Sequence, residues 1–115
     1  MSGIVGRIER KKGRIGRSKD TIKAWAFYNQ VTPAVLDSLG LSSITDTAAG
    51  RFQCIFSSPT SSSYYAAVGM SDGGFDTVFG HDAGRSPTQC EIRVFHTSNE
   101  AYEDNAWTSV MFFGD

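Results

Sequence analysis

From Thr21 onward, apolar residues return at every second position in short runs separated by Gly, Pro, Ser, Asn and Asp. A period of two is the signature of half-buried β-strands. Residues 21–28 open the series with an aromatic-rich strand. Residues 41–46 and 51–56, joined by a turn from Asp46 to Gly50, predict a hairpin in which Phe52, Cys54 and Phe56 share one face. Residues 57–63 form a loop by composition. Residues 64–70 and 75–79, linked through Ser71, Asp72, Gly73 and Gly74, predict a second hairpin. In residues 88–96 the alternation turns Cys90, Ile92 and Val94 inward and Glu91 and Arg93 outward. An acidic loop over 97–105 leads to residues 106–113, which are apolar on both faces. Such a strand is central in a packed sandwich or buried against another subunit. Residues 33–40 break the pattern and predict a helical turn or two, stopped by Gly40.

These elements predict an all-β fold, a small β-sandwich or barrel of six to seven short antiparallel strands with an extended N-terminal arm. A chain of 115 residues has room for one core. The arm covers residues 1–20 and the β body residues 21–115. Eight Phe, four Tyr and two Trp supply core material, and a charged fraction of 20% is too low for a disordered chain. Trp25, Phe27, Tyr64 and Tyr65 are expected in the core. No apolar run approaches the roughly 18 residues of a membrane span, so no membrane partner is expected.

The net charge of −1 hides a division. Residues 1–24 hold eight cationic and two acidic side chains, a balance of +6; residues 25–115 hold three and ten, a balance of −7. Arm and body therefore suit different partners. An arm of this charge is attracted to an acidic surface, including the body of a second copy. Within it, Gly3-Ile4-Val5-Gly6-Arg7 is echoed ten residues on by Gly13-Arg14-Ile15-Gly16-Arg17. Nucleic acid is a poor partner: a −7 body is repelled by phosphate, and no basic stripe interleaves with the aromatics.

Catalytic chemistry is sparse. His81 and His96 sit in no recognisable triad. His81-Asp82 reads as a turn. Gly69-Met70-Ser71-Asp72-Gly73 matches the string of a hydrolase nucleophile elbow, but that chemistry needs a strand before the serine and a helix after it. Asp72 to Asp76 faintly resembles a calcium loop without its closing glutamate. Glu100, Glu103 and Asp104 read as an exposed acidic loop. Cys54 and Cys90 fit no metal spacing and are expected as buried thiols. The expectation is a non-enzymatic protein with no metal and no cofactor.

Lys23-Ala24-Trp25 with Phe27 and Asn29, then Leu41-Ser42-Ser43-Ile44-Thr45-Asp46, Gly50 and Phe56, resemble a tail-fibre-like module of tailed-bacteriophage virion proteins. Tyr64 to Val68 and the ending Met111-Phe112-Phe113-Gly114-Asp115 are consistent with it, while Gln30 to Leu39 departs. The resemblance implies a structural component of the virion, assembled in a bacterial cytoplasm. A short chain with an arm suits a capsid decoration, or cement, protein; the alternative is a tail-fibre or tail-tip protein that binds a host receptor. Partners would be the major capsid protein or other virion proteins, and further copies in a homo-oligomer. In the decoration reading Ile4, Val5, Ile8 and Ile15 anchor the arm. Arg7, Arg10, Lys11, Lys12, Arg14 and Arg17 meet acidic shell residues.

Overall fold

The computed structural model describes residues 22–114, nearly all of them in antiparallel strands and short turns. The strands are β1 (Ile22–Asn29), β2 (Ala34–Leu39), β3 (Leu41–Ala48), β4 (Arg51–Phe56), β5 (Ala66–Ser71), β6 (Asp76–His81), β7 (Gln89–His96), β8 (Ala101–Tyr102) and β9 (Thr108–Phe113). They form two packed sheets. The first has the order β2-β1-β9-β5; the second has β3-β4-β7-β6, with β8 added to β7.

The alternation read from the sequence sets the core. Phe52, Cys54 and Phe56 of β4 and Cys90, Ile92 and Val94 of β7 are buried on the inner face of the second sheet. Ala24, Ala26, Tyr28, Val110 and Phe112 meet them from the first. The Phe56 ring meets Tyr65 and Phe112 edge-on, with centroids 5.3 and 5.1 Å away. Such aromatic pairs add roughly 0.5–1.5 kcal/mol beyond their buried area. β9 is a central strand, paired with β1 on one side and β5 on the other. The β3–β4 hairpin forms as its pattern predicts.

Three expectations are corrected. Residues 34–39 are an edge strand, not a helical turn, because β1 offers them a ladder from Trp25↔Leu39 to Asn29↔Ala34. Gly40 then carries the chain from one sheet to the other. Its φ of +76° favours glycine, and a side chain there would strike the carbonyl oxygen of Lys23. The second predicted hairpin does not form. β5 pairs with β9 and β6 with β7, so the turn between them crosses the sandwich. Gly69 permits this: an added Cβ would lie 2.6 Å from Val78. Finally, of the four aromatics expected in the core only Tyr65 is buried, whereas Phe27 is half exposed, Tyr64 is 91% exposed and Trp25 is partly open. The small Ala24 and Ala26 take the inner positions on β1 instead.

The arm residues singled out above, Ile4, Val5, Arg7, Ile8, Arg10, Lys11, Lys12, Arg14, Ile15 and Arg17, lie outside the described residues.

Candidate functional site

The outer faces of the two sheets differ in chemistry. On the second sheet, Arg51 stands opposite Arg93 and Gln53 opposite Glu91. Arg93 is ion-paired with Glu91 and donates to the Tyr102 hydroxyl, while Arg51 stacks 4.6 Å above the Tyr102 ring. The charged groups of that face are paired with one another, and the Ile55, Phe79 and Phe95 side chains beside them are partly buried.

The first sheet presents the reverse. Strand register places Leu39, Trp25, Met111 and Val68 in one row across β2, β1, β9 and β5. Asp37, Phe27, Ser109 and Met70 form the next row. All eight alternate with inward residues, so their side chains stand on the outer face. Beside the second row runs a groove of about 600 Å³, walled by Phe27, Leu36, Met70 and Trp107 and also lined by Asp37 and Asp72.

Phe27, Leu36, Leu39, Val68, Met70, Trp107 and Met111 are each between 39% and 69% exposed. At about 150–250 Å² per side chain, seven such residues leave on the order of 800 Å² of apolar surface open. The largest patch on a typical monomer is roughly 300–600 Å². The patch is large for the surface of a single chain.

One end of the sandwich is polar. Buried Gln30 accepts through Oε1 from the Asn105 N–H and the Thr108 hydroxyl, at 3.1 and 2.9 Å. The Asn105 amide reaches on to the Ser71 hydroxyl and to Asp76. Two buried atoms of this end, Gln30 Nε2 and Asp76 Oδ1, have no hydrogen-bond partner among the described residues. Nearby, Asp104 accepts from the Gly50 N–H at 2.7 Å. Burial, then the charges of Asp46 and Asp104, push the Tyr28 hydroxyl up; burial and Asp104 push the Asp46 carboxyl up. The end is therefore electronegative.

The other candidates resolve structurally. Ser71 bonds to Asp76, Asn105 and the Gly73 N–H, and a turn leading to a strand follows it. It has the setting of no nucleophile elbow. His81 accepts from the Ala83 N–H and caps the short turn Asp82–Gly84. Cys54 and Cys90 face each other across β4 and β7 as free, buried thiols. Among the described residues, no helix is long and apolar enough to cross a membrane.

The sequence signalled this face in residues 106–113, which are apolar on both sides; on β1 it did not, because Trp25 and Phe27 were expected inside, where Ala24 and Ala26 stand instead. No protein-family model, curated protein or solved structure matches the chain. Fold and surface define a two-sheet, all-β body in which the outer face of the first sheet carries most of the exposed large apolar side chains.

Proposed function

We propose that this chain is a non-enzymatic structural protein of a bacteriophage particle, a capsid decoration protein. Its body self-associates through the outer face of the β2-β1-β9-β5 sheet, and its basic arm engages the shell. The observation that carries the reading is the apolar face itself. Its open area is close to the roughly 800 Å² that each partner contributes to a stable interface. A second copy fits it by chemistry: in the two central rows Asp37 is the only charged residue, so like against like buries little charge. Sheets packed face to face in this way are a common solution for twisted strands.

The phage assignment draws on the resemblance of residues 23–56 to virion modules, and the arm assignment on the charge division between residues 1–24 and the rest. A tail-tip role in receptor binding is the second reading. It is favoured by the exposed aromatics Tyr64, Phe75 and Trp107, which lie outside the strands.

Cosedimentation with empty phage capsids tests the proposal, comparing the full chain with one lacking residues 2–19. The deletion spares every strand of the described residues. Binding that depends on the arm and weakens with salt supports decoration. Absence of capsid binding, with attachment to host cells instead, would replace it with the tail reading.

A further inference from the structure

We propose that Asp76, His96 and Glu103 form a binding site for a divalent transition-metal ion, with Zn²⁺ as the representative probe. The three residues are far apart in sequence and are brought together by strand register. Asp76 and His96 are direct partners across β6 and β7. β8 pairs with the other side of β7 through His96↔Ala101 and Phe95↔Tyr102. Glu103 follows at once, its N–H bonded to the Val94 carbonyl at 3.2 Å. One potential ligand atom from each of the three lies within 4.8 Å of the other two, and all three residues are partly buried.

A second observation points to a ligand. Asp76 Oδ2 is held by the Ser71 hydroxyl and the Asn105 amide, while Oδ1 is buried without a partner among the described residues. A buried carboxylate oxygen left unpaired costs free energy, and a cation removes that cost. Ser71 and Asn105 are then the groups that orient the ligand, as outer partners do in metal sites. Asp104, the next residue after Glu103, adds a further carboxylate to this segment. One imidazole and two carboxylates suit zinc or manganese better than calcium, which takes oxygen ligands throughout.

His96 Nδ1 accepts from the Asn99 N–H at 3.2 Å. The ring ligates either through Nδ1 in place of that contact, or through Nε2 with the proton moved to Nδ1. Either route exchanges one turn hydrogen bond for a metal bond. The ion would tie the segment after β7 to β6 and seal the polar end of the sandwich. Cys54 and Cys90, fully buried, do not compete for it.

The test is calorimetric titration of the full chain with ZnCl₂ and MnCl₂, alongside thermal unfolding. His96→Gln and Glu103→Gln are the test variants and His81→Gln the control, with the fold of each checked by circular dichroism. One ion per chain and a raised unfolding temperature are expected, with binding at least about tenfold weaker in both test variants and unchanged in the control. Absence of saturable binding would overturn the site. So would wild-type affinity in either folded test variant, because the ion would then sit elsewhere.

Discussion

Trp25 and Met111 stand directly opposite each other on adjacent antiparallel strands, with both side chains on the outer face of the first sheet. Their chain neighbours Ala24, Ala26, Val110 and Phe112 are all buried. β1 and β9 thus spend large apolar side chains on the surface while β1 gives the core its alanines. On β1 the arrangement is inverted, with Trp25 and Phe27 outside and the alanines inside. This inversion is the physical basis for reading the face as an interface.

Phe112 is the counterpart inside. It is fully buried, with the Phe56 and Tyr65 rings edge-on against it at 5.1 and 6.2 Å. Phe112→Ala leaves a cavity among rings that cannot collapse to fill it. Urea unfolding should show a loss of about 3–5 kcal/mol. A loss below about 1 kcal/mol would mean that this cluster is not the core.

Tyr65 fastens the loop after β4 to the segment before β7. Its hydroxyl lies 2.9 Å from the carbonyl oxygens of both Ser86 and Gln89, and the Arg85 guanidinium lies 4.6 Å above its ring. Tyr65→Phe keeps the ring and removes the donor. Denaturant midpoints should register a loss of about 1 kcal/mol with the unfolding slope unchanged.

Asp46 gives a pH dependence with a definite sign. Burial and the Asp104 carboxylate raise its pKa in the folded state, so folding favours its protonated form. Its charge therefore costs stability above the carboxylate range, and the cost disappears as pH falls through that range. Asp46→Asn should stabilise the protein at pH 7 by a few tenths of a kcal/mol, a small effect because the residue is exposed and screened. Thermal melts should show the gain fading on acidification and absent below about pH 3. A gain that instead grew toward low pH would reverse the assignment.

Burial pushes both the Cys54 and Cys90 thiols up, Cys54 further through Cys90 beside it. Neither should react with a disulfide reagent in the native state at mildly alkaline pH, since the thiolate is the reactive form. Both should react once urea unfolds the chain. Rapid native labelling of two thiols would show that the sandwich opens readily.

Much of this architecture was legible in the sequence. Alternation in residues 51–56 and 89–96 revealed which side chains face inward, because Arg51, Gln53, Glu91 and Arg93 mark the outer face of each strand. Where alternation failed, so did the reading. Residues 34–39 carry no period-two pattern, since five of the six are exposed, and backbone pairing with β1 alone makes them a strand. Gly73-Gly74 has the composition of a hairpin turn, yet the turn joins two sheets because β5 pairs with the distant β9 and β6 with the strand that follows it, β7. The Asp76–His96–Glu103 cluster has no spacing signal at all. Its members meet through the registers of β6 and β8 against β7, which only the folded chain defines.

The most direct test of the central claim is sedimentation equilibrium of the full chain over a range of concentrations, beside the double variant Phe27→Lys/Met70→Lys. Both side chains are at least half exposed, so the variant should fold with nearly unchanged stability. The account predicts reversible self-association of the wild type and a monomeric, folded variant. A wild type that stays monomeric throughout, or a variant that associates as tightly as the wild type, would contradict it.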